Sequence, residues 1–512
     1  MAFMLERIMT TSPHVLYLLI GFIFIFVLLK ASQLYWKRRE LLKTFKMFPG
    51  PPSHWFYGHN KEIQRGQEFN KLLEWAEKYP YAFPRWFGSF AASLVINHPD
   101  YARAVFARQD PKSMVTYRFF LPWIGKGLLI LHGPKWFQHR RLLTPGFHYD
   151  ILKHYVPLIV DSTKVMLDKW EKLVAKDAMK SLEVFEHVSL MTLDSIMKCA
   201  FSYQSNCQTH RELDYYVKAV YDLTYLVAQR TRTLFHRNDL FYWCSSDGRH
   251  FREACKRAHQ HTEKVIEDRR KSFKEEGELK KIQKKRHLDF LDILLSAKDE
   301  NEVGLSDEDL RAEVDTFMFE GHDTTASGIS WILYAMAQNP EHQQRCREEL
   351  KDTVGERDTV QWEDLGKMTY TTMCIKESLR LYPPVPAVSR QLNKPITFCD
   401  GRTLPKGSRV AISIYNIHRN PSIWQDPEVF DPTRFSLENS SQQHSHAFVP
   451  FAAGPRNCIG QQFAMNEIKV AVAQTLLQFE ILPDPEKLPL PVPQVILRSD
   501  NGIHILLKKL NG

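Results

Sequence analysis

From Val15 to Leu29 the chain reads VLYLLIGFIFIFVLL, apolar throughout apart from Gly21, and no residue between Ile8 and Leu29 carries a formal charge. A run of about 20 such residues is long enough to cross a bilayer as a helix, the form in which each backbone polar group finds its partner within the segment. A cleavable signal peptide is the alternative reading, but the start is not strongly basic and no small-x-small site follows the apolar run. Trp36 supplies an interfacial aromatic, and Lys37, Arg38 and Arg39 supply positive charge that stays cytosolic. The flanks therefore predict a retained single-pass helix with its N-terminus across the membrane. In MFPGPPSHW, the prolines Pro49, Pro51 and Pro52 around Gly50 prevent a continuous helix and make a stiff spacer. This divides the chain into an anchor and linker, residues 1–47, and a folded body, residues 48–512.

The body is large enough to bury a substantial core, and length alone would allow roughly three domains. The eight cysteines (199, 207, 244, 255, 346, 374, 399 and 458) contain no C-x-x-C pair, which argues against a zinc ribbon, a thioredoxin-like site or a disulfide framework. The net charge of +9 is spread along the chain, without the basic tracts interleaved with aromatics that a nucleic-acid groove requires. Arg311 to Met336 has few breakers apart from Gly321 and Gly328 and predicts a long central helix. Lys271 to His287 is a dense charge run, expected as a solvated loop or exposed helix end. Strand-like pieces such as Arg409 to Tyr415 are short, so the fold class is mainly α with small β-sheets.

FAAGPRNCIG, residues 451–460, is the most specific motif. A cysteine beside glycines is usually a small buried residue. Here Gly454 and Gly460 permit tight backbone packing, and the segment after Cys458 has helical periodicity. Cys458 is thus expected at a helix N-terminus, where the dipole and free N–H groups favour a thiolate and lower its pKa. Such a thiolate on haem iron promotes O–O cleavage.

This loop resembles the cysteine pattern of the cytochrome P-450 superfamily, F-x-x-G-x-R-x-C-x-G, matched in full by Phe451, Gly454, Arg456, Cys458 and Gly460. The resemblance runs from about Pro49 to the C-terminus. It implies the cytochrome P-450 fold behind a single N-terminal transmembrane helix, haem b (iron protoporphyrin IX) as cofactor and Cys458 as the iron ligand.

EVDTFMFEGHDTT, residues 313–325, lies in the central helix and puts Glu320 and Thr324 on one face with Asp323 beside them. Alone, these carboxylates would suggest a solvated stripe or a salt bridge. In the resembled superfamily an acid–threonine pair in this helix guides protons to dioxygen on the iron, and Asp323 and Thr324 match it. A hydroxyl beside a carboxylate can order the water that carries those protons. Helix distortion at Thr324 and Gly321 is expected to open room for it. The thirteen-residue stretch resembles that of family four, in which the glutamate at Glu320 is esterified to a haem methyl. That tether would stiffen the pocket and favour attack at a substrate's terminal carbon.

Glu377 and Arg380 form E-x-x-R, and FDPTRF supplies Arg434, the set that the superfamily uses as a structural triad; Thr433 stands where a glutamate is usual. Trp136 and Arg140 share a helical face, and with Arg390 and Arg456 they make a candidate haem-propionate cradle. Phe119, Phe120 and the region from Tyr225 to Phe241 are read as pocket-lining and membrane-facing access segments.

Gly125 and Gly127 are not followed by a third glycine, so the dinucleotide fingerprint fails; no Walker loop and no H-E-x-x-H motif occur. Electrons must then come from a partner. The resemblance implies NADPH-cytochrome P-450 reductase docking near Cys458, with cytochrome b5 as a second candidate, at the cytosolic face of the endoplasmic reticulum membrane. The expected reaction consumes an apolar substrate, O2, two electrons and two protons and yields an alcohol and water, with terminal hydroxylation of fatty acids as the leading reading. Subfamilies A and B are the resembled groups, the latter also accepting small xenobiotics. The rivals are a xenobiotic monooxygenase, an oxygen-independent isomerase or dehydratase of lipid peroxides, and a non-catalytic haem- or lipid-binding membrane protein.

Overall fold

The computed structural model describes residues 13–510 apart from 65, 178–179, 210–213, 234, 275–288, 298–303 and 358. The charge run 271–287 lies largely outside the described residues; its first four residues end a long helix that buries one face.

Ten helices organise the site: α1 (Pro13–Phe45), α2 (Gly133–Leu143), α3 (Tyr149–Lys176), α4 (Val184–Phe201), α5 (Asp214–Arg232), α6 (Asp239–Cys244), α7 (Ser246–Lys274), α8 (Asp307–Gln338), α9 (Thr369–Leu381) and α10 (Gln461–Gln478). Helix α1 is the one candidate membrane span among the described residues, and none of its apolar window is buried. It runs on past Leu29 for about four turns before the proline segment stops it. At its foot Phe45 and Phe48 are buried, Phe45 edge-on to Trp86 at 6.4 Å and Phe48 edge-on to Phe398 at 6.0 Å.

The central helix α8 extends a few residues beyond its expected ends. Ser306 caps it by accepting from the Asp309 N–H at 3.1 Å, and three acids fill its first turn, both favourable at the positive end of the helix dipole. Asn339 and Pro340 end it, because a proline drives the preceding residue out of helical geometry. Nearly every position of α8 is buried, so it is enclosed on all sides rather than along one apolar stripe, and it carries buried polar groups such as Glu313, Asp315, His322 and Asp323 into the core. It packs on α4 and α10, while α3 packs on α4 and α10 from the other side. Trp331, Ile332, Met191, Val472 and Leu476 belong to this shared core.

Eleven described strands make four small sheets. β1 (Ala82–Trp86), β2 (Ala92–Ile96), β7 (Arg409–Ser413) and β4 (Ala387–Gln391) lie in the order β1-β2-β7-β4. β3 (Leu182–Glu183), β8 (Phe479–Pro483) and β11 (His504–Lys509) pair as β3-β11-β8. β5 (Ile396–Thr397) with β6 (Thr403–Leu404), and β9 (Pro491–Pro493) with β10 (Leu497–Ser499), are two-stranded. The expected strand from Arg409 stops at Ser413, after which Ile414–Ile417 turns helical. β10 is fastened along α8, since Ser327 Oγ donates to the Leu497 carbonyl at 2.7 Å.

Candidate active site

The cysteine loop is shaped by close approach. Gly454 has φ +72°, and a Cβ there would sit 1.9 Å from the Phe106 carbonyl oxygen, so only glycine fits. Gly460 does not need this freedom: its φ is −88° and a Cβ would make an ordinary contact with Phe147. The loop closes on itself through the Cys458 N–H to the Phe451 carbonyl at 3.0 Å. Gly460 is the N-cap of α10, which puts Cys458 two residues before that cap, as the periodicity implied.

The expected lowering of the Cys458 pKa is overturned. Burial comes first and pushes the thiol up to about 11, with the Glu320 carboxylate adding to the rise; the Gly460 N–H, Arg140 and Lys112 pull the other way. Helix-end donors therefore do not by themselves ionise a sulfur this enclosed; a metal cation would. Cys458 nevertheless keeps accessible surface. These facts agree if that surface lines an internal cleft rather than the exterior. Glu320, whose charge acts on Cys458, and Thr324 one turn along are both partly accessible on the largely buried α8.

The three candidate cations have different partners. Arg456 lies over the Trp136 ring at 4.4 Å and donates to the Leu131 carbonyl at 2.8 Å, while its Nη2 is buried without a partner among the described residues. Arg140 holds the loop, donating to the backbone oxygen of Asn457 at 3.0 Å and to its Oδ1 at 2.9 Å. Arg390, buried on β4, donates to the Ser389 carbonyl at 3.0 Å. Burial lowers the pKa of both Arg390 and Arg456, and Arg390 depresses Arg456 further. Buried guanidiniums that repel one another, one with a free N–H, call for an anion. The propionates of haem b fit that need, and Cys458 fits its iron.

Sequence reasoning did not single out Lys112. The Gln391 N–H donates to the Pro111 carbonyl at 2.9 Å, holding the Lys112 segment beside β4. Burial pushes Glu320 up and Lys112 down, and each favours the charged form of the other. Nor did it flag the clamp on α2: Glu313 of α8 accepts from the Leu128 N–H at 3.0 Å and meets His139 Nδ1 at 2.6 Å, fixing the helix that carries Trp136 and Arg140.

Asp323 and Thr324 diverge. Thr324 Oγ1 donates back to the Glu320 carbonyl at 2.8 Å, whereas Asp323 is buried and takes Arg498 Nη2 at 2.5 Å on Oδ1. No hydrogen bond joins the two side chains among the described residues. Asp323 Oδ2 is buried without a partner among the described residues, leaving one oxygen anchored and one available to accept. Gly321 serves packing, since a Cβ there would meet Ile196 of α4 at 2.8 Å.

The structural triad assembles. Glu377 and Arg380, both fully buried, share two hydrogen bonds of 2.7 Å, and Arg434 Nε stands 3.5 Å from Glu377. Thr433, with both its N–H and hydroxyl on Asp431 Oδ1, forms a local turn. Arg380 also links the triad to the cysteine loop through His418. His418 Nδ1 donates to the Arg380 carbonyl at 3.2 Å and Nε2 accepts from the Val449 N–H at 2.9 Å, which requires a neutral ring.

Burial, reinforced by the Arg380 charge, holds His418 down at about 3 against 6.5 for a free ring. A histidine with a depressed folded pKa contributes stability above pH 6.5 that is lost as pH falls from there towards 3, by about 1.4 kcal/mol per unit. Unfolding measured between about pH 6 and pH 4 should show this slope in the native chain, with that part of it missing in His418→Gln.

A cysteine positioned by a closed loop before a helix, facing an acid–threonine segment of a central helix across a cation-rimmed cleft, defines a haem-thiolate protein. The family model described as "Cytochrome P450" matches residues 48–506, and the chain belongs to that family. It is 58% identical over 484 residues to "Cytochrome P450 4A6" of Oryctolagus cuniculus, covering 94% of each chain. It is 57% identical to "Cytochrome P450 4B1" of Rattus norvegicus, again over 94% of each. To "Cytochrome P450 4A11" of Homo sapiens it is 57% identical, over 95% of this chain and 93% of the other. The protein is a monooxygenase that uses haem, dioxygen and electrons from a redox partner on apolar substrates, and its apolar N-terminal helix fits a membrane anchor.

Proposed function

We propose that the protein hydroxylates the terminal carbon of fatty acids, at the cytosolic face of the endoplasmic reticulum membrane, with residues 48–512 as the catalytic domain. The observation that carries this reading is the placement of Glu320, the residue that distinguishes family four, on the α8 face that lines the cleft with Cys458. Haem b held by Cys458 supplies, when bound, the oxygen chemistry that exchanges a C–H bond for C–OH. Trp136, Arg140, Arg390 and Arg456 hold its carboxylate edge, directly or through the loop. Glu320, as an ester to a haem methyl, restricts how a chain approaches and so favours its end over the weaker C–H bonds beside it.

Asp323 and Thr324 have the proton work. Arg498 fixes one oxygen of Asp323, and the free oxygen can accept from a water. Thr324 satisfies its own proton on the Glu320 carbonyl, so its oxygen lone pairs face the cleft as acceptors. Electrons enter from NADPH-cytochrome P-450 reductase, with cytochrome b5 as a further donor. Thr324→Ala and Asp323→Asn should each lower hydroxylated product by about 100-fold at unchanged reductase concentration, with NADPH still consumed. Product per NADPH, measured together with substrate binding, separates this from a binding defect.

The tether has its own test. In the native chain a fraction of haem should stay with the polypeptide through acid–organic extraction; in Glu320→Ala all of it should extract, and hydroxylation should spread to carbons inside the chain end. Full extraction from the native chain, or an unchanged product distribution in the variant, would remove Glu320 from the account.

A further inference from the structure

The contacts at the foot of α1 identify the side of the body that lies nearest the membrane. Arg38 donates to the Trp55 carbonyl at 2.7 Å, and Ser89 Oγ donates to that same carbonyl at 2.5 Å. Two residues before Ser89 in the chain, the Phe87 carbonyl accepts from Arg237 at 3.2 Å. These bonds bring Trp55 onto the same side as Phe235 and α6, whose Leu240 and Phe241 are 71% and 59% exposed. Apolar side chains this exposed, gathered beside a membrane-spanning helix, have lipid as their natural neighbour.

Directly beyond them, at Trp243, a groove of about 520 Å³ opens between α6, α7 and Pro122. Its walls change character with distance from the apolar turn. Trp243 forms the near wall, and Arg252 lies across its ring at 4.8 Å while donating to its carbonyl at 2.9 Å. One turn further along α7, Lys256 enters the groove; neither it nor Arg252 has a carboxylate partner among the described residues. The acid at the far end, Glu263, is engaged by Arg311 at 3.3 Å. The result is a concave site with two unneutralised cations and an apolar rim.

We propose that this groove binds the headgroup phosphate of an anionic phospholipid, with Arg252 and Lys256 as its cationic ligands and the acyl chains lying against Trp243, Phe241 and Leu240. An Arg fork and a Lys ammonium are complementary to a phosphate, and a tryptophan with its polar edge at headgroup depth suits the boundary they share. A free phosphate would make no use of the adjoining apolar surface, which is why the assignment is to lipid. The inference goes beyond the catalytic reading and rests only on the membrane anchor.

The test uses the full-length, haem-loaded chain in nanodiscs of phosphatidylcholine mixed with phosphatidylserine. After release into detergent, native mass spectrometry counts the phosphatidylserine that stays bound. The double variant R252E/K256E should retain at least about tenfold less, whereas K164E/K172E, a charge reversal of the same size on α3, should behave as the native chain does. Equal retention in R252E/K256E overturns the proposal, as does an equal loss in K164E/K172E, which would mean that bulk charge alone holds the lipid. Displacement of the lipid by millimolar inorganic phosphate would also overturn it in favour of a simple anion site. Hydrogen exchange across residues 235–243 reports the membrane-facing side separately: slowed exchange in the nanodisc is expected, and unchanged exchange contradicts the placement itself. An unaltered ferrous–CO spectrum in R252E/K256E shows that the variant is folded and haem-loaded.

Discussion

Arg380→Ala is expected to destabilise the protein by about 3–5 kcal/mol, a large share of the roughly 5–15 kcal/mol of an ordinary domain. The guanidinium makes two hydrogen bonds of 2.7 Å to Glu377 and further bonds to the carbonyls of His418, Pro427 and Val429 at 2.8, 2.7 and 3.2 Å. Its removal leaves the Glu377 carboxylate fully buried with the Asp431 N–H at 2.9 Å and Arg434 at 3.5 Å as its remaining partners. Three carbonyls lose their donor at the same time, among them that of His418, whose ring holds the Val449 N–H at the entrance to the cysteine loop. Arg380→Lys should recover only part of the loss, since an ammonium cannot reproduce the planar fork. Urea unfolding and the yield of haem-loaded chain measure this directly, and a change below about 1 kcal/mol would show that the triad does not hold the core.

The second large effect is chemical. Cys458→Ser should abolish the thiolate-type ferrous–CO spectrum and reduce turnover more than about a thousandfold, roughly 4 kcal/mol of transition-state stabilisation. The fold should survive, because the loop is closed by backbone bonds from Cys458 N–H and Asn457 N–H and by the Arg140 contacts to Asn457, none of which uses the sulfur. A variant that keeps its melting temperature and loses both spectrum and turnover separates ligand chemistry from structure. Retention of the thiolate spectrum would require another sulfur at the iron.

Motifs carried by consecutive residues were legible in the sequence. The cysteine loop, the central helix, the E-x-x-R turn and the apolar anchor each declare themselves within a window of at most about thirty residues, where periodicity and glycine placement act. Partners that meet only through tertiary packing left no comparable trace. Arg498 stands 175 positions from the Asp323 that it pairs with, in a short strand where an arginine ordinarily reads as surface. His139 and Glu313 are 174 positions apart and meet because α2 lies across α8. Lys112 owes its setting to the main chain running beside β4. The Cys458 thiol shows the converse error: a local rule about helix ends gave the wrong direction because desolvation, a property of the assembled cleft, outweighs it.

The access segments divide in the same way. Phe119 and Phe120 are buried, with the Arg230 guanidinium 4.4 Å from the Phe119 ring, so they belong to the interior wall. Phe235 and Phe241 are exposed. Composition alone could not divide these aromatics between core and surface, because both places accept them.

The most direct test of the account is turnover of a fatty-acid chain-length series by the full-length protein with reductase and NADPH, the hydroxyl position read by mass spectrometry. The account predicts hydroxylation mainly at the terminal carbon across the accepted lengths. A competent haem-thiolate spectrum without fatty-acid oxidation would contradict it and point to a xenobiotic substrate or to an oxygen-independent reaction.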